Sequence, residues 1–219
     1  MAGPWENAGV IKISEDVALV DSLDFFTPIV DEPEIQGQIA ACNVTNDLYA
    51  MAVTRIVNVL AIMGYPQDMP TDVAAGMLKG FSDFCEKLNT KVIGGHTILN
   101  PWPIMGGCAV GMGNPKQIIY TRGAKPGDVL VLTKPLGIQA AMAAYRLRKD
   151  KNEKAFLRNM PLGVVDQAIA GAIEVMTTSN KPVAEVMQEV NVNAATDITG
   201  FGLKGHAENM AKLSHADIK

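Results

Sequence analysis

The chain has 219 residues, 48% hydrophobic and 19% charged, and 19 basic against 23 acidic side chains give a net charge of −4. That length supports one sizeable core or two modest ones, and the balance excludes wholesale disorder and a strongly basic nucleic-acid binder. No apolar run reaches the roughly 18 residues of a membrane span. Residues 1–6 lack a signal-peptide layout, so neither a membrane nor a nucleic-acid partner is expected. Three scattered cysteines, Cys42, Cys85 and Cys108, predict a reducing, cytoplasmic setting with no zinc or disulfide scaffold.

In chain order, alternation predicts a first strand over residues 16–23. A helix over 34–51 follows, opened by Asp31-Glu32-Pro33-Glu34 with an acceptor at the cap and proline in the first turn. A strand over 55–63 comes next, then a helix over 71–89 with Thr71 as N-cap. In that helix Val73, Met77, Leu78, Phe81, Phe84, Cys85 and Leu88 recur at helical spacing. Strands over 103–112 and 129–133 precede helices over 139–149, 164–178, 181–190 and 200–213. The order reads as α+β, with a break in the glycine- and proline-rich stretch 113–126. The domains are accordingly 1–122 and 123–219.

No G-x-x-x-x-G-K-[ST] run is present, so a P-loop cannot be argued. Residues 200–205 match G-x-G-x-x-G but follow no clean buried strand, which argues against a dinucleotide site. Three acids stand out instead. Asp24 ends an apolar strand, and Asp47 lies on an apolar helix with Asn43 on the same face. Asp197 precedes the glycines of Thr199-Gly200-Phe201-Gly202. Each has an ordinary alternative: Asp24 capping a turn, Asp47 pairing with an arginine, Asp197 capping a helix. Taken together, hard oxygen donors beside backbone-exposing segments describe a magnesium–nucleotide site. Gly94-Gly95-His96-Thr97 is either a tight helix-to-strand turn or a close backbone approach to a ligand. His206 reads as a structural histidine, Cys42 and Cys108 as buried small hydrophobes, and the methionines as packing.

Several of these runs resemble the selenophosphate synthetase (selenide, water dikinase) family. They are Asp24–Asp31, Asn43–Met51, Gly94–Thr97, Leu132–Gly137 and Ala195–Gly202. Order and spacing match over essentially the whole chain. Relatives that share the fold, aminoimidazole ribonucleotide synthetase and thiamine-monophosphate kinase, lack the T-D-I-T-G-F-G run. The resemblance implies an aminoimidazole ribonucleotide synthetase-like N-terminal domain that pairs with its twin in a homodimer, followed by an α/β domain. It implies conversion of ATP, selenide and water to selenophosphate, AMP and phosphate, with Mg2+ bridging ATP phosphates to aspartates. Carried over by motif, Asp24 contacts the nucleotide–metal assembly, while Asn7, Asp47 and Asp197 are metal ligands. Gly95, His96 and Thr97 contact ATP bound mainly by the dimer partner.

The sequence departs from the family pattern at three places. Asn7, in Glu6-Asn7-Ala8, stands where the family carries a metal-ligand aspartate. The family's glycine-rich loop, with its Cys or selenocysteine and its Lys, is not in these residues, so no catalytic residue is assigned. Little sequence follows 196–202. The expectation is that this polypeptide by itself makes little or no selenophosphate. The alternative reading is a non-catalytic dimerisation or nucleotide-binding partner.

Overall fold

The structure, a computed structural model, describes residues 6–148 and 160–218. One five-stranded sheet dominates: β1 (Gly9–Lys12), β2 (Ala18–Phe26), β3 (Arg55–Tyr65), β4 (Val92–Leu99) and β5 (Ile104–Gly113), in the order β1-β2-β5-β3-β4. All neighbours are antiparallel except β3 and β4, which run parallel because helix α2 (Thr71–Lys87) returns the chain between them. One face carries α1 (Pro33–Ala50) and α2. There Val20, Val59, Ala61, Met105 and Ala109 form a core with Leu48, Tyr49, Phe81 and Cys85. The opposite face is open: Leu23, Phe25 and Ile93 are each more than half exposed, and Leu60 is 38% exposed.

Helix α1 lies between the sheet and α2 and is buried nearly all round, so it lacks the amphipathic stripe of a surface helix. Glycines set the helix spacing. A Cβ on Gly37 would stand 2.0 Å from the Met77 carbonyl oxygen, and one on Gly80 1.9 Å from that of Glu34. Further along, α5 (Lys181–Glu189) places Ala184 in the same core, and Gln188 donates to the Ala52 carbonyl at 2.8 Å. Helix α6 (Gly202–Ser214) follows an irregular stretch from 191.

The chain forms two compact units, Met1–Leu130 with Ser179–Lys219, and Val131–Thr178. The second contains α3 (Ile138–Leu147) and α4 (Leu162–Thr177), which bury Ala141, Met142, Val165, Ile169 and Ala172. Arg148 pairs with Asp166, and Lys134 donates to the carbonyls of Val175 and Thr178. Among the described residues no helix is long and apolar enough to cross a membrane.

The α+β reading holds, and four of its details change. Residues 129–133 form no strand, and Val129 and Val131 are 84% and 79% exposed. A β-branched run becomes a strand only with a hydrogen-bonding neighbour, and among the described residues none pairs with it. The cap of α1 is Glu32, held extended by the proline after it, so Asp31 falls one residue too early. Pro70 caps α2, its carbonyl accepting from Val73 and Ala74, so Thr71 is the first helical residue. Cys108 is half-buried, and none of the three cysteines is in a disulfide. Strands β1 and β4 were not expected. Residue 149, the expected end of α3, lies outside the described residues, as do residues 1–5 of the N-terminal reading.

Candidate functional site

Two periodicities build one wall of the site. Along β2, Ser22 and Asp24 are two residues apart and face the same side. Along α1, Asn43 and Asp47 are four apart and share a face. The two pairs meet: Asn43 Nδ2 donates to Asp24 Oδ2 at 2.9 Å, and the Ser22 hydroxyl donates to Asp47 Oδ2. Asp47 therefore has a hydroxyl partner and not an arginine, and Asp24 belongs to a strand and not to a turn cap.

The remaining wall comes from distant sequence. Asp197 lies four residues before Phe201, the cap of α6, so it is not itself the cap. Asn7 joins through its amide, with Oδ1 accepting from Thr196 Oγ1 at 3.0 Å. Asn7, Asp24, Asp47 and Asp197 line one pocket of about 390 Å³, together with Glu6, Thr196, Thr199, Phe201, His206 and Asn209. Sequence reasoning left the α6 side of this pocket unassigned. Phe201, Gly205, His206 and Asn209 share one helical face after the T-D-I-T-G-F-G run, and that spacing was the available signal. The Thr199 N–H donates to His206 Nε2 at 3.1 Å, and the ring packs on Phe201 at 5.7 Å.

Gly95, His96 and Thr97 do not join this pocket. They lie in β4, pairing with Ala61, Ile62 and Met63, and all three are exposed. The glycine at 95 is a steric requirement, because a Cβ there would sit 1.9 Å from the Ala61 carbonyl oxygen at φ +151°. The G-x-G-x-x-G match opens α6 after irregular chain, without the strand a dinucleotide site needs.

The electrostatics of the pocket are strained in one direction. Burial, then the Asp197 carboxylate, push Asp47 up to about 8, against the Ser22 hydroxyl. Burial also raises Asp24, opposed by Asn43, and raises Asp197, opposed by His206. Among the described residues no lysine or arginine pairs with any of the three. Nor does any group of three His, Cys, Asp or Glu side chains among them converge tightly enough to enclose a metal. An open ring of carboxylates with an amide oxygen is a hard-donor set. Such a set would suit a hard cation such as magnesium, with Asp47, Asp197 and Asn7 as the residues to hold it.

Residues 5–113 match the family described as AIR synthase related protein, N-terminal domain, and residues 125–219 match its C-terminal domain. The chain is 45% identical to a protein named selenide, water dikinase from Methanocaldococcus jannaschii, over 100% of this chain and 64% of the relative. It is 41% identical to selenide, water dikinase 2 of Homo sapiens, over 92% of this chain and 46% of that protein. The chain thus spans about two thirds of the archaeal relative's length and under half of the human one's. Among solved structures, AaThiL complexed with AMPPCP and TMP aligns with a TM-score of 0.75 at 18% identity, covering 96% of this chain and 64% of that one. A hydrogenase maturation protein, E. coli HypE, aligns at 0.67 and 16%, covering 90% and 58%. At such identities the structures speak for the fold.

Proposed function

The chain belongs to the AIR synthase related protein family, and on that premise we propose that it acts as a selenophosphate synthetase. In this reading ATP, selenide and water become selenophosphate, AMP and phosphate, supplying selenium for selenocysteine synthesis. The observation that carries the proposal is the pocket in which Asp24, Asp47 and Asp197 stand together, in a chain 45% identical along its whole length to a selenide, water dikinase. A cytoplasmic setting and a division into 1–122 and 123–219 belong to the same reading. The family matches support that division by ending at 113 and resuming at 125.

Magnesium bound at these carboxylates offsets the repulsion between an acidic wall and a triphosphate and lets the two approach. Asp47, Asp197 and the amide oxygen of Asn7 are the residues to hold it. Asp24, kept in place by Asn43, faces the nucleotide–metal assembly, and the Ser22 hydroxyl fixes the Asp47 carboxylate. Gly95, His96 and Thr97 reach nucleotide held mainly by a second copy. The non-catalytic alternative is not favoured, because the relatives that match nearly the whole chain are named selenide, water dikinase.

The test is a chimera in which this chain replaces the matching two thirds of the Methanocaldococcus jannaschii relative. Phosphorus NMR with ATP, magnesium and selenide should show selenophosphate and AMP rising together, both abolished by Asp47→Asn. ATP turnover that ignores selenide would refute the reading.

The open face of the sheet supports the homodimer. Phe25 on β2, Leu60 on β3 and Ile93 and Ile98 on β4 are 51%, 38%, 65% and 44% exposed, with Trp102 at 67% just beyond β4. An apolar patch of this kind marks an interaction surface, and β4 also offers an unpaired edge. Sedimentation velocity at micromolar concentration should give a dimer, and Ile93→Asp with Ile98→Asp should give a folded monomer. A wild-type monomer would count decisively against the assembly.

A further inference from the structure

We infer that Glu6 is a positioning residue of the pocket: it brackets the irregular segment that carries Asp197 to the chain at 120–122. The inference rests on the functional reading above for the identity of the ligand and on geometry for the bracket. Asp24 and Asp47 are placed by β2 and α1, which are themselves locked into the sheet and core. Asp197 has no such support, because residues 191–199 form no helix or strand. Its place depends on side-chain and isolated backbone bonds: Asn193 to Asp128 before it, Thr199 to His206 after it, and between them the bonds of Ala195 and Thr196, which converge near Glu6.

The Glu6 side chain is only 1% exposed although it is a carboxylate. Its Oε2 accepts from the Thr121 N–H at 2.7 Å, and its Oε1 accepts from Arg122 Nη1 at 2.7 Å. Arg122 is held in turn over the Tyr120 ring, 4.5 Å from its centroid. The next residue, Asn7, reaches the other way: Nδ2 donates to the Ala195 carbonyl at 3.5 Å and Oδ1 accepts from Thr196 Oγ1 at 3.0 Å. Ala195 N–H closes the circuit by donating to the Tyr120 carbonyl at 3.1 Å. Three segments far apart in sequence are thus tied immediately before Asp197, and Glu6 supplies the only ionic tie among these contacts. A buried carboxylate stripped of such partners is strongly unfavourable, so this pairing holds one geometry and not several. Groups that orient metal ligands without touching the metal commonly change its affinity by about 10- to 100-fold when removed.

The experiment uses the full chain with Mn2+ as the probe, followed by electron paramagnetic resonance, and amide hydrogen exchange on the same samples. Glu6→Ala should weaken Mn2+ binding about tenfold. It should also speed exchange at 193–199 while leaving β2 and α1 amides as in wild type. Glu6→Gln, whose amide oxygen still accepts from Thr121, should recover most of the affinity. If Glu6→Ala fails to fold, Arg122→Met takes its place, with the same direction expected in both readouts. A folded variant with wild-type exchange at 193–199, or wild-type Mn2+ affinity in a protein that binds Mn2+, overturns the inference. Loosened exchange in a protein whose wild type binds no Mn2+ would sustain the bracket and sink the metal–nucleotide reading instead.

Discussion

Asp47→Asn is expected to make the cation-free protein more stable near neutral pH while removing its magnesium-dependent nucleotide binding. Burial and the Asp197 carboxylate raise the folded-state value of Asp47 from 3.8 to about 8. Between these values the folded chain keeps a proton that the unfolded chain has released. Stability therefore falls as pH rises from about 4 to about 8, and above that this group contributes no further slope. Asparagine retains an oxygen that can accept from Ser22 and cannot ionise, so the variant loses most of that decline. At pH near 8 it should gain several kcal/mol, seen as a rise of several degrees or more in thermal midpoint. Asp24 and Asp197 are raised as well, so a residual slope of the same sign should remain. Binding of magnesium–ATP, followed by calorimetry, should weaken by at least about 100-fold, because a charged oxygen ligand is lost. Gain of stability with loss of binding is the signature of a ligand-holding acid. A variant that lost stability at pH near 8, or bound magnesium–ATP as wild type does, would remove Asp47 from the site.

The second large effect lies in the contact between α1 and α2. Gly80→Ala puts a methyl group where the Glu34 carbonyl oxygen already stands, 1.9 Å from the new Cβ, and Gly37→Ala meets Met77 and Phe81 backbone at 2.0 and 2.7 Å. Backbone atoms inside two packed helices cannot swing aside as a flexible side chain can, so the helices must separate and open the core above them. Alanine is the better helix former by about 1 kcal/mol. The steric cost exceeds that gain, and a net loss of roughly 3 kcal/mol or more is expected for each variant in urea denaturation. Gly171→Ala in α4 is the control, since nothing lies within 4 Å of its new Cβ. There the propensity gain stands alone, and no loss of stability should follow. Equal stability of Gly80→Ala and wild type would mean the helices are not in the described contact.

What the sequence determined by itself was whatever one element's own period encodes. The alternation at 16–23 and 55–63 and the spacing of Val73, Met77, Phe81 and Phe84 located β2, β3 and α2 within a few residues. The same local logic put Asn43 and Asp47 on one helical face and marked Asp24 and Asp197 as acids in need of explanation. What only the tertiary structure decided depended on a partner distant in sequence. The run 129–133 has strand composition and no neighbour to bond with, whereas glycine-rich β4 is a strand because β3 lies beside it. His206 carried only a helical spacing until α6 brought it to the pocket with Asp197, and Glu6 carried no local mark until Thr121 and Arg122 closed on it. Hydrogen-bond pairing and electrostatic coupling act over a few ångströms regardless of separation along the chain. Local periodicity therefore carries the elements, and only their packing fixes which side chains share a site.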